Sequence, residues 1–346
     1  MPLIADALQP HLASGLMALA GRRGKDNFPD ILLPSNKTGY DLDFDDAGQT
    51  ISADFRQSDL VSAAIGSDCS RFACAVLQSI APVSREIRDR DTIAWSLVKL
   101  YYSSFYAGHS LMRMLGESCS HFDGTHVGSI TELFGILGKT PGFGIERGLY
   151  HCSLNGTCTG LTAKRASGLA GGGGTHEIFW KLVGARISRL TEEVLSGALV
   201  PNDARTVFAK FTEFIAILSR RGVRQHTWLT SVRNELQYQH KLDVWFPAGI
   251  RTNEREALGR LSSQWGRDPM RVDLGAGGPG SIREFVSACV FIVALCLEML
   301  LRILERSPAG VQSFARLGPI AFLHDARLIQ LQGNTITTMP EQILNA

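Results

Sequence analysis

The chain has 346 residues, with 35 Lys and Arg against 33 Asp and Glu, a net charge of +2 at neutral pH. So small an excess excludes global basicity as a nucleic-acid signal, so any such site must come from local clustering. Apolar residues make up 45% and charged residues 20%, enough for a sizeable core in one elaborated domain or two, and against a disordered chain.

The N-terminal residues 1–21 have no basic segment before their apolar part and read as an amphipathic helix, not a signal peptide. Residues 28–57 carry turn formers and acids, with a short strand pair, and residues 60–80 return to helical periodicity. Residues 91–116 form the clearest helix. Asp91 is its expected N-cap, Gly116 its stop, and Trp95, Val98, Tyr102, Phe105, Tyr106, His109 and Met112 its buried face. A short helix follows at 129–138. Residues 139–175 are rich in Gly, Ser and Thr and read as an irregular insertion ending on a tetraglycine.

Helical patterns resume at 176–196 and 202–222, and again at 228–243, where Thr227 or Thr230 is the expected cap and Pro247 lies beyond the end. Residues 248–280 form a second polar, Gly-rich connection. Residues 282–306 form the central apolar helix; the run 285–297 is about 13 residues, short of the roughly 20 a membrane span needs. The tail alternates like a β-hairpin. The expected fold is mainly α: a bundle of the helices at 91–116, 176–196, 202–221, 228–243 and 282–306. The expected organisation is an extension at 1–90, a helical core at 91–306 interrupted at 139–175 and 248–280, and an arm at 307–346.

Several chemistries find no support. GILGKTPG lacks the first glycine of a phosphate-binding P-loop and follows no strand. CSHFDGTH offers Cys119, His121, Asp123 and His126, at a spacing that matches no strong metal template. No GxSxG follows a strand, so a hydrolase triad is unsupported. Seven scattered cysteines without a CxxC pair fit a reducing, cytoplasmic compartment.

The stretch SVRNELQYQHKLDVWFP at 231–247 stands apart. Arg220, Arg221, Arg224, Arg233 and Lys241 crowd a window whose one acid is Glu235, and His226 and His240 fall within it. Phosphate contacts need such a patch, though a solvated face is the commoner reading of one. On one helix, Arg233 and His240 would point the same way, about 10 Å apart along the axis.

R-N-E-L-Q-Y-Q-H resembles the motif of HEPN domains, an Arg followed by a polar residue and then a His after four to six intervening residues. The aromatic helix YYSSFYAGHSLMRMLG is similar to the first helix common in that family. The resemblance covers residues 91–306 and implies a metal-independent endoribonuclease without cofactor, acting as a homodimer. In that reading the RNA 2′-OH attacks the adjacent phosphorus. His240 carries the proton, Arg233 clamps phosphate oxygens, and Asn234 holds the His or the phosphate. Arg220, Arg221, Arg224, Lys241 and Tyr238 are expected to bind substrate, and His109 and Tyr102 to support the site. The family also implies a toxin–antitoxin or antiphage setting with a partner protein. A non-catalytic HEPN-like binding or scaffold subunit is the other reading.

Overall fold

The structure, a computed structural model, describes residues 3–21, 27–34, 39–166, 174–197, 199–220, 225–246 and 249–325, and the backbone of 329–332 and 335–338. In chain order the elements are α1 (Leu3–Leu8), β1 (Tyr40–Asp45), β2 (Thr50–Phe55), α2 (Ser58–Ile80), α3 (Val83–Glu86), α4 (Ile93–Met114), β3 (Glu117–Phe122), α5 (Gly124–Ile136), β4 (Gly148–Leu154), β5 (Gly160–Arg165), α6 (Thr175–Leu195), α7 (Pro201–Leu218), α8 (Trp228–Gln237), α9 (Thr252–Ser262), α10 (Ile282–Arg306), α11 (Ala321–Asp325), β6 (Ile329–Gln332) and β7 (Thr335–Thr338). The protein is mainly helical, with a five-stranded antiparallel sheet beside the helices.

Helices α2 and α10 flank α4, which is the hub of the fold. Ser281 starts α10 by accepting the Glu284 N–H, which satisfies one of the free amides of the first turn. From Phe285 to Leu297 every α10 residue is buried, so its long apolar run serves the core. The stretches Ser58–Glu86 and Ile282–Arg306 are each long and apolar enough to cross a membrane, and both are largely buried in the fold. Ser103 and Ser110 of α4 donate to the Val76 and Cys69 carbonyls of α2, so the small hydroxyls between the two helices are satisfied. Gly108 lets Phe179 of α6 come close: a Cβ there would stand 2.9 Å from the ring.

The buried face of α4 matches the expected one in part. Val98, His109 and Met112 are buried, but Trp95 is 54% exposed, and Leu97, Leu100, Tyr101 and Ala107 are sealed. Helices and a strand enclose α4 on several sides, so burial extends well beyond one stripe, and Tyr102, Phe105 and Tyr106 end half-buried.

The sheet runs β1-β2-β5-β4-β3. Its β4–β5 hairpin occupies residues expected to be irregular. Tyr150, Cys152, Leu161 and Ala163 alternate inward against the core while polar neighbours face out. The Asn155 side chain accepts the Thr159 N–H and closes the turn, where Cys158 takes φ 56°. Because β2 pairs with β5, the boundary expected near residue 90 runs through a shared sheet, and one core extends from Ile4 to Leu323. The region expected as a C-terminal arm begins inside that core, with Phe314, Ile320 and Leu323 buried and Phe314 N–H bonded to the Leu19 carbonyl. The backbones of β6 and β7 pair antiparallel, and residues 339–346 lie outside the described residues.

Two further helix expectations change. The connection at 248–280 contains α9, whose Leu258 packs in the core. The helix expected over 228–243 ends at Gln237. His240, Leu242 and Asp243 take φ of 51°, 73° and 53°, left-handed values that no α-helix accommodates.

Candidate functional site

The junction of α4, α6 and α8 gathers an arginine, a histidine and three tyrosines. It is built outward from Tyr101, which is sealed. The Trp180 Nε1–H donates to the Tyr101 hydroxyl at 3.2 Å. That hydroxyl lies 2.9 Å from His176 Nδ1 and 3.4 Å from Thr230 Oγ1, so one phenol ties the three helices together. Burial pushes the Tyr101 phenol up from its ordinary value, so it is neutral.

Arg233 enters from α8 and is 8% exposed. Its Nη2 donates to the Tyr102 hydroxyl at 2.6 Å and its Nη1 to Asn234 Oδ1 at 2.9 Å. The guanidinium carbon lies 5.0, 5.5 and 5.9 Å from the ring centres of Tyr238, Tyr102 and Tyr101, a cation–π cage. Its Nε is buried without a hydrogen-bond partner. Burial opposes its charge, but the bond to Tyr102 and the surrounding phenols outweigh it and hold the guanidinium above its ordinary pKa.

Among the described residues no carboxylate pairs with Arg233. The three other deeply buried arginines all have one: Arg113 with Asp68, Arg186 with Glu117 and Glu193, Arg302 with Asp6 and Glu305. A buried cation without a counter-ion is costly, typically by several kcal/mol. The phenols and Asn234 offset that cost. The charge they hold is left with no anionic partner among the described residues, a place an anion could fill.

His176 lies in the first turn of α6, its ring centre 4.3 Å from that of Phe105. Burial, then the nearby Arg233 charge, lower its pKa to about 4. The ring is neutral at pH 7, and its Nε2 has no hydrogen bond among the described residues. The sequence reading missed this residue. The signal was present in GGGGTHEIFW: a histidine opening a helix after a glycine run, with Phe179 and Trp180 one turn on.

The residues expected to act together are only partly united. Arg233, Asn234, Tyr102 and Tyr238 meet. His240 does not join them: past the end of α8 it is exposed, with its ring 5.2 Å from Trp245. Asn234 therefore holds Arg233 and not His240. Arg220 is engaged by the buried Glu284, with Nε 3.0 Å from its Oε1, which removes it from a phosphate-binding role. Arg221 and Arg224 lie outside the described residues, and Lys241 is exposed. His226 is buried against Gly184 and lies 3.2 Å from Ser219 Oγ. His109 is stacked between Phe179 at 3.9 Å and Phe72 at 4.7 Å, and burial lowers its pKa far below the ordinary value. It reaches the cluster through Phe105 and Phe179, as a packing residue.

Around the C-terminal end of α8 lie three exposed aromatic rings: Tyr238 at 65%, Phe246 at 67% and Trp95 at 54%. Trp95 meets Trp245 edge-on at 5.5 Å, and Arg90 lies 4.8 Å over Phe246. No group of three or more His, Cys, Asp or Glu is placed to hold a metal among the described residues. No family model, curated protein or solved structure matches this chain.

Proposed function

We propose that the chain binds single-stranded RNA, with one phosphate held by Arg233 and neighbouring bases stacked on the exposed rings beside α8. The observation that carries the reading is the buried guanidinium, caged by phenols, with no counter-ion among the described residues. A phosphate would supply the missing charge, and the fixed guanidinium fork suits its oxygens. Tyr238, Phe246 and Trp95 would offer faces to unstacked bases, which a duplex does not present. The likeness of R-N-E-L-Q-Y-Q-H to the HEPN motif points to the same class of ligand. A homodimer, a restraining partner in a toxin or antiphage system and a cytoplasmic setting belong to this proposal.

Metal-independent cleavage through 2′-OH attack is the second reading, favoured by one observation. His176 is neutral beside the Arg233 charge, the state a proton acceptor needs. Arg233 would then stabilise charge building on the phosphoryl oxygens. The loop carrying His240 would have to rearrange for that residue to take part.

The test is a labelled single-stranded RNA incubated in EDTA with wild type, Arg233→Met, His176→Gln and His240→Ala. Binding is read by anisotropy and cleavage on a gel. The binding proposal expects Arg233→Met to lose affinity and a duplex of the same sequence to bind more weakly. Equal binding by Arg233→Met and wild type would remove it. Cleavage lost in His176→Gln with binding retained would establish the second reading, and an intact RNA in every lane would leave binding alone.

A further inference from the structure

A second polar site lies at the C-terminal end of α4, about three turns beyond Tyr102. A cavity of about 340 Å³ opens between α2, α4, β3 and the start of α5. One wall is basic. Asp68, 2% exposed, is shared by two guanidiniums: Arg113 Nε donates to its Oδ2 at 2.8 Å, and Arg71 pairs with its Oδ1. Two cations on one carboxylate leave a net positive charge. Arg113 is 3% exposed and spends Nε on Asp68 and Nη1 on His109. Arg113 lines the cavity, and its Nη2 makes no hydrogen bond among the described residues, so a donor of a nearly buried side chain is left for a ligand.

The opposite wall is acidic. His126, itself buried, has Nδ1 2.8 Å from Asp123 Oδ1 and Nε2 3.1 Å from Asp30 Oδ1. The hydrogen bond to His126, with the amides of the α5 first turn, holds the Asp123 carboxyl down at about 2, so it is ionised throughout the physiological range. Neither wall suits a simple ion. A metal would face two guanidiniums, and phosphate would face two carboxylates. Pro29, Phe72 and Cys119 also line the space and could take a short carbon skeleton between charged ends.

We infer that this cavity binds a small zwitterion of the α-amino-acid class. Its carboxylate would be taken by Arg113 Nη2 and Arg71, and its ammonium by Asp123 and Asp30. The inference is independent of RNA binding and uses CSHFDGTH residues that the Arg233 site leaves aside.

The probes are the twenty free L-amino acids at millimolar concentration, read by thermal unfolding of the full chain. At least one should raise Tm by about 2 °C or more. Its N-acetyl and its amide derivatives should each lose the shift. Titration of that amino acid should show binding about tenfold weaker in Arg71→Gln and in Asp123→Asn. Asp123→Asn keeps the helix cap, and Arg71→Lys, which keeps the charge, should retain binding. No shift with any amino acid would overturn the inference. So would a shift unchanged in both neutralised variants, or one reproduced by inorganic phosphate or by acetate alone.

Discussion

Arg113 and Arg233 are both nearly buried guanidiniums at α4, and the chain treats them in opposite ways. Arg113 faces Asp68, with Phe72 4.5 Å from its charge. Among the described residues Arg233 meets no carboxylate: its contacts are Tyr101 and Tyr102 from α4, Tyr238 and the Asn234 amide. The Arg113 charge is balanced within the fold. The Arg233 charge is held only by neutral donors and rings among the described residues, so its balance is left to a ligand.

The largest test of this contrast is stability. Arg113→Met strips a buried carboxylate of one partner and should cost about 3–5 kcal/mol in urea unfolding. Arg233→Met removes a charge that has no carboxylate partner to strand and should leave stability unchanged or raise it by about 1 kcal/mol. A loss at Arg233 as large as that at Arg113 would make it an ordinary structural residue. Tyr238→Ala sharpens the ligand side. Removing one stacking face should weaken single-stranded RNA binding by about 1–3 kcal/mol. The ring is 65% exposed, so stability should stay within about 0.5 kcal/mol.

The smallest effect is on pH. His176 titrates near 4 in the folded chain and near 6.5 when unfolded, so between these values the unfolded chain binds the extra proton. Stability should be full above pH 6.5 and fall as pH drops towards 4. His176→Gln should flatten only part of that slope, because burial also lowers the pKa of His109 and His226. A slope unchanged by the substitution would mean the ring is solvated and is not held beside the Arg233 charge. Bound phosphate should flatten the slope, because favouring imidazolium raises the folded pKa towards the unfolded one.

Much of the helical scaffold was legible. The periodic run at 282–306 matches α10 from Ile282 to Arg306, and 176–196 and 60–80 match α6 and α2 within two residues, because long amphipathic runs carry a strong period. The β4–β5 hairpin was hidden: its strands are short and glycine-flanked, and β5 pairs with β2, more than a hundred residues earlier, a contact no local pattern announces. The end of α8 was hidden too. No glycine or proline stands between Gln237 and Phe246, yet the backbone turns left-handed at His240. That turn separates the two residues the motif had joined. Arg233, Asn234 and Tyr238 were legible from charge and spacing. The histidine beside them was not, because His176 arrives from α6, and the sequence does not say that the starts of α6 and α8 meet.

The most direct measurement is anisotropy of a short single-stranded RNA against wild type and Arg233→Met, with urea midpoints of the same samples. The account predicts affinity at least about tenfold lower for Arg233→Met, at an equal or higher midpoint. Unchanged affinity accompanied by a lower midpoint would contradict it.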